Sequence, residues 1–305
     1  MKHTPNALAG RLAACLTALI WGTTFISTKL LLADFRPVEL LFFRCAIGLL
    51  ALALACPRRL RGTTLRQEGT FAAAGLCGVC LYYLLENIAL TYTAASHVGV
   101  IVSVAPFFTA LLARPLHGGA EPPRAGFFLG FAVAMAGICL ISLPGSGPAF
   151  SLVGDLLALL AALVWACYSV LTRRISAYGY PTLLTTRRIF CYGLLFLLPA
   201  LFLTGFRLGP ARFADPVCLC NLLFLGLGAS ALCFVTWNFA VKVLGAVGTS
   251  VYIYLVPVIT VAASALILRE RITPFTGIGT VLTLAGLLLS EHRPRRKEAN
   301  HESAR

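Results

Sequence analysis

The chain has 305 residues, of which 59% are hydrophobic and 12% charged, with a mean hydropathy of +0.87. Soluble domains carry about a quarter charged residues, so an ordinary cytosolic enzyme is excluded, and so are a coiled coil and a disordered polymer. The net charge of +14 would suggest nucleic acid for a soluble protein; here the basic residues sit between apolar runs, which points to membrane topology and to no nucleic-acid partner.

Ten apolar segments follow in chain order, at 11–32, 37–56, 69–92, 96–114, 125–143, 152–172, 181–204, 217–242, 246–268 and 274–291. Each is about as long as a spanning helix requires. The first is too long for a signal peptide and carries Lys29 near its far end, so it reads as a retained helix. The connections are short, and Pro144–Pro148 is the clearest turn. The tail 292–305 is polar and reads as cytoplasmic and disordered. With the N-terminus inside, 16 of the 25 Lys and Arg residues fall on the inner side, 5 on the outer side and the rest within segments. That asymmetry predicts both termini in the cytoplasm and an even number of crossings.

The sequence repeats itself. Leu19-Ile-Trp21 corresponds to Leu163-Val-Trp165, Pro37 to Pro181 and Arg44 to Arg188, all 144 residues apart. Asn87 and Pro106 correspond to Asn238 and Pro257 at 151 residues, and Glu121, Gly130 and Gly137 to Glu270, Gly279 and Gly286 at 149. The expectation is an all-α membrane protein of ten transmembrane helices, built as two five-helix repeats over 11–143 and 152–291. Because five is odd, the second copy enters the membrane inverted, a frequent design in secondary transporters.

Ionisable groups at membrane depth are costly and become candidate sites. Glu86 stands about six residues from the outer end of the third segment. Tyr82 and Tyr83 share its face and Asn87 adjoins it. A carboxylate beside tyrosines can bind an ammonium group or carry a proton, so Glu86 is the candidate for proton coupling; a hydrogen-bonded anchor between helices is the other reading. Arg44 and Arg188 read as structural, able to reach back to their own interfaces, with Glu39 as a partner for Arg44. Arg187 and Lys29 read similarly, and Asp155 reads as a helix-start carboxylate. His97 opens the fourth segment, as a gate or an interfacial hydrogen-bonder. Trp21 and Trp165 lie too deep for an interfacial belt and either pack between helices or face a cavity. Tyr168 lies one turn from Trp165 on the same face, and Trp237, Asn238, Tyr252 and Tyr254 enrich the opposite wall, which suits flat, apolar or cationic solutes. Pro106 and Pro257 break the fourth and ninth segments at matching points, as hinges or as packing kinks. Cys77 and Cys80 have ligand spacing but no second pair, so no metal is expected.

Several stretches carry a family resemblance. In the first half they are Trp21-Gly-Thr-Thr-Phe, Leu41-Phe-Phe-Arg44, Glu86-Asn-Ile-Ala-Leu-Thr-Tyr-Thr-Ala-Ala-Ser96 and Ala105-Pro-Phe-Phe-Thr-Ala110. In the second they are 154–165, Leu255-Val-Pro-Val258, Arg269-Glu-Arg-Ile-Thr-Pro274 and Gly286. Over residues 11–291 the chain resembles the drug/metabolite transporter superfamily, EamA type, in its ten-helix form. The resemblance implies two inverted halves and a cavity lined by the first, third, fourth, sixth, eighth and ninth helices. It also implies movement of small metabolites across the bacterial inner membrane, commonly outward. One departure is the turn between the last two helices of each half. The family often has Gly-Glu-x-Leu/Ile there, whereas Gly118-Gly-Ala-Glu121 and Arg269-Glu-Arg-Ile stand in this chain.

The expected function is export of a small metabolite, such as an amino acid or an aromatic compound, by alternating access, with uptake by the same fold as the alternative. No cofactor is expected. ATP is not the direct energy source, since no lysine stands in a Gly-Lys-Ser/Thr loop. An intramembrane lipid-modifying enzyme would need clustered acids, histidines or a metal, and only His97 of five histidines falls in a segment.

Overall fold

The structure, a computed structural model, describes residues 5–113, 125–141, 151–204, 206 and 209–291. The Pro144–Pro148 turn, Glu121 and the tail 292–305 lie outside them. The described residues contain helices and no strand. Eight helices are long and apolar enough to cross a membrane: α1 (Pro5–Leu31), α2 (Pro37–Ala55), α3 (Leu65–Tyr92), α4 (Ala95–Leu112), α6 (Leu152–Ser176), α7 (Thr182–Leu203), α8 (Pro216–Leu244) and α9 (Ala246–Ile267). Two shorter apolar helices, α5 (Ala125–Ile141) and α10 (Pro274–Glu291), complete the set. Large apolar side chains such as Leu54, Leu203 and Leu266 point outward and are exposed, as a lipid-facing surface requires.

The helix starts follow from local chemistry. Pro37, Pro216 and Pro274 stand in first turns, where a missing N–H costs nothing. Thr64 caps α3 and accepts from Gln67 N at 3.3 Å, Ser151 caps α6 at Gly154 N, and Asp215 accepts from Val217 N and Cys218 N. Gly245, at φ 82, adopts a backbone that a side chain would strain and separates α8 from α9 without a longer loop.

Two irregularities recur at matching places. In α3 the stretch Leu76–Leu81 is π-helical, and so is Phe224–Leu232 in α8; the ends of these stretches lie 151 residues apart. In α4 the helix is interrupted at Ser103–Val104 ahead of Pro106, and in α9 a 3-10 turn at Val251–Tyr254 precedes Pro257. These are the two prolines read as hinges or as packing kinks. Each stands in the first turn of the helix that resumes after the break.

Contacts between loops sort the chain ends into two sets. At one end, Tyr180 reaches Gly62 and Gln67, Arg187 binds Cys56 O and Arg58 O, and Arg173 binds Lys242 O. At the other, Lys29 binds Leu90 O and Thr93 O, Arg212 binds Asp34 O, and Glu270 accepts from Ala95 N and Ser96 N. Helix α5 runs antiparallel to α10, with Gly137 facing Gly279 and Gly130 facing Gly286. Helix pairings exchange in step. Helix α1 packs on α8 and α9, while α6 packs on α3 and α4; α2 packs on α8 while α7 packs on α3.

Glu39 differs from its expected role. It is 2% exposed and pairs with Arg212 at 2.8 Å rather than with Arg44, and it also accepts from Arg36 N. Its position in the first turn of α2 points it at the loop before α8, away from the bundle. Arg212→Gln would leave that buried carboxylate without its cation, so a loss of about 1–3 kcal/mol is expected in detergent unfolding. Unchanged stability would mean the pair contributes nothing.

Candidate functional site

Between five helices a small cavity is walled by Trp21, Thr24 and Phe25 of α1, Tyr82, Tyr83 and Glu86 of α3, Val102 of α4, Trp165 of α6, and Ile253 and Val256 of α9. A water's centre can occupy only about 20 Å³ there, room for about one water. Any metabolite-sized guest requires the helices to part.

Aromatic packing explains the small volume. The Trp21 and Trp165 rings meet edge-on at 5.0 Å, Tyr82 lies 4.8 Å from Trp165, and Tyr83 lies 5.8 Å from Phe234. Trp237 stacks behind at 5.1 Å from Trp21. Two of these pairs join residues that correspond in the repeat: Trp21 with Trp165 at an offset of 144, and Tyr83 with Phe234 at 151. Both pairs lie at the cavity, and its wall takes residues from both halves of the sequence. The chemistry does not follow the backbone. Glu86 corresponds to Trp237 at the same 151-residue offset, so the carboxylate has an indole as its counterpart.

Glu86 is 2% exposed. Its Oε1 has no partner among the described residues, and Tyr82 stands one turn before it on the same wall. Trp165 Nε1 is likewise buried and unpartnered, whereas Trp21 Nε1 donates to Ala229 O at 3.2 Å. Arg44 is fully buried on α2. Its guanidinium lies 3.9 Å from the centre of the Tyr83 ring, and its Nε donates to Ser230 Oγ at 3.2 Å. It therefore does not extend back to the interface: α2 turns this position inward, where an aromatic face and a hydroxyl receive it. Arg188 does reach its interface, 3.2 Å from Glu68.

Of the residues singled out from sequence, Trp21, Tyr82, Tyr83, Glu86 and Trp165 come together on the wall. The others lie off it. Asn87 donates to Pro37 O at 3.1 Å, tying α3 to the start of α2. Asn238 donates to Thr186 Oγ1 and accepts from Tyr168 at 2.7 Å, tying α8 to α7 and α6. His97 sits near the other end, its ring nitrogens 3.4 Å and 3.3 Å from Thr93 and Thr276 hydroxyls. Trp237 backs the aromatic cluster, while Tyr252 and Tyr254 stand within the 3-10 turn without reaching the wall. Thr24, Phe25, Val102, Ile253 and Val256 were not singled out. Thr24 and Phe25 follow Trp21 by three and four residues, and that helical spacing was the available signal. Helix α8, which the resemblance puts among the lining helices, contributes Phe234 and Trp237 behind the wall instead. Lys29 holds the last carbonyls of α3, a favourable place for a cation. Asp155 stands in the first turn of α6, buried, with neither oxygen hydrogen-bonded among the described residues, and Ser151 makes the cap.

Comparison with known proteins gives a consistent picture. The sequence pattern of the EamA-like transporter family matches residues 8–143 and, separately, 152–291. A protein of Archaeoglobus fulgidus named as an uncharacterized transporter is 32% identical, over 92% of this chain and 96% of its own length. A protein of Streptantibioticus cattleyicolor named as a probable terminal-alkyne amino-acid exporter is 29% identical, over 94% and 96% respectively. Among solved structures, one crystal structure superposes with a TM-score of 0.64 at 20% identity, covering 92% of this chain and 97% of that one. That is a likeness of fold alone.

Proposed function

Because the chain belongs to the EamA-like transporter family and is a multi-pass membrane protein, we propose that it exports a small metabolite across the bacterial inner membrane by alternating access. The observation that carries this reading is the small cavity where corresponding residues of the two repeats touch. Helices that rock about those contacts open the cavity to one face and then to the other. On this reading ten helices cross the bilayer as two inverted five-helix halves, 11–143 and 152–291. The exchanged helix pairings and the paired π-helical stretches support it.

Both termini are cytoplasmic. The loop set at 55–65, 176–182 and 242–246 faces inward, because Arg58, Arg59, Arg61, Arg173, Arg174 and Lys242 crowd that end. The solute is an amino acid or a compact aromatic compound, which the aromatic wall and one acidic group can receive. The amino-acid exporter among the relatives supports outward transport of such a solute. Glu86 carries the coupling proton, and ATP takes no direct part. Trp21, Tyr82, Tyr83 and Trp165 contact the solute, while Pro106 and Pro257 mark the hinges.

Two measurements test this. Purified protein in proteoliposomes is expected to support counterflow of an amino acid from a labelled metabolite mixture; no flux of any solute overturns the transport reading. Reporter tags after Pro148 and at the C-terminus are expected on opposite faces. Finding both in one compartment overturns the inverted arrangement.

A further inference from the structure

The geometry points to Arg44 as a latent carboxylate anchor behind Tyr83, so that the solute is amphoteric, its anionic group seated on Arg44 and its cationic group on Glu86. This rests on the transport reading above and names the solute's charge pattern.

A buried guanidinium normally finds a carboxylate. Arg44 is 0% exposed, and its Nη1 and Nη2 have no hydrogen-bond partner among the described residues. The acid nearest along its own helix, Glu39, is held by Arg212. The corresponding arginine, Arg188, has Glu68. Tyr83 is a partition: one side of its ring covers the Arg44 guanidinium, and the residue lines the cavity. Glu86 stands on the same wall one helical turn away, with Oε1 unpartnered among the described residues.

In the closed form the two opposite charges compensate each other at a distance. A swing of the Tyr83 ring as the helices part brings Arg44 to the cavity. An amphoteric solute then replaces one long attraction with two hydrogen-bonded charge pairs and leaves the local net charge unchanged. An amine or an acid alone leaves one protein charge uncompensated in a low-dielectric site, which selects against it. The phenyl-sized body of the solute meets Trp21, Phe25 and Trp165.

Three probes of one shape separate these cases: L-phenylalanine, 2-phenylethylamine, which lacks the carboxylate, and 3-phenylpropanoate, which lacks the amine. With the full chain in nanodiscs, L-phenylalanine is expected to bind at least about tenfold tighter than either analogue. Arg44→Gln is expected to weaken L-phenylalanine by about 100-fold and the amine by less than about threefold. Should that variant fail to fold, Arg44→Lys, which keeps the charge but loses the guanidinium fork, is expected to weaken L-phenylalanine alone by about tenfold. Equal binding of acid, amine and amino acid, equal losses on all probes, or no binding of any probe overturns the inference. The transport reading stands or falls separately, on counterflow with the metabolite mixture.

Discussion

Glu86→Gln is expected to reduce pH-gradient-driven flux in proteoliposomes by at least about tenfold and to remove the pH response of what remains. Gln has the same shape and can keep its place beside Tyr82, so the fold is spared, but the amide binds no proton near neutral pH. Glu86 is the carboxylate on the cavity wall, so no neighbouring acid on that wall can take over the proton. A general acid–base step lost from its relay costs at least this much. Transport at the original rate with the original pH response would eliminate Glu86 as the carrier.

The second large effect belongs to the α5–α10 pair. A Cβ at Gly137 would lie 2.6 Å from Gly279 O and 2.7 Å from Thr283 N, closer than atoms tolerate, and what it meets is backbone that cannot rotate away. Small residues let helices touch inside a bilayer, where lipid removes the hydrophobic reason to associate. Gly137→Leu is therefore expected to cost about 3 kcal/mol in detergent unfolding. The control is Gly126→Leu on the same helix, whose nearest neighbour would be 4.0 Å away; it is expected to stay within about 0.5 kcal/mol. Equal effects of the two substitutions would refute close glycine packing as the cause.

Nine of the ten apolar segments read from sequence agree with the helices to within four residues at each end, because bilayer thickness and hydration set span length and flanking polar residues; the first helix begins six residues before its segment, at Pro5. Part of the cavity wall is legible in the sequence too: Glu86, Trp21 and Trp165 by their depth in apolar segments, although depth leaves open whether the two indoles pack between helices or face a cavity. What sequence withheld was the direction in which each side chain faces. A helix that is apolar all round, such as α5, carries no stripe to mark its inner side. Asn87 follows Glu86 in sequence, yet one residue turns it about 100° round the helix, toward α2. The π-helical stretches at Leu76–Leu81 and Phe224–Leu232 disturb the count further, since a wider turn shifts every later side chain around the axis. For Arg44 sequence gave depth but no bearing, so nothing along the chain distinguished a side chain reaching for water from one enclosed beneath a tyrosine.

The mismatch between Glu86 and Trp237 reaches beyond recognition. In a machine made of two equivalent parts, its two open forms would have equal energy, and neither mouth would be favoured at rest. If the halves rock as proposed, one acidic group opposed by one indole lifts that degeneracy, because the carboxylate and the indole would pass through unlike surroundings. On the proposed arrangement, that pair of side chains contributes to the carrier's sidedness.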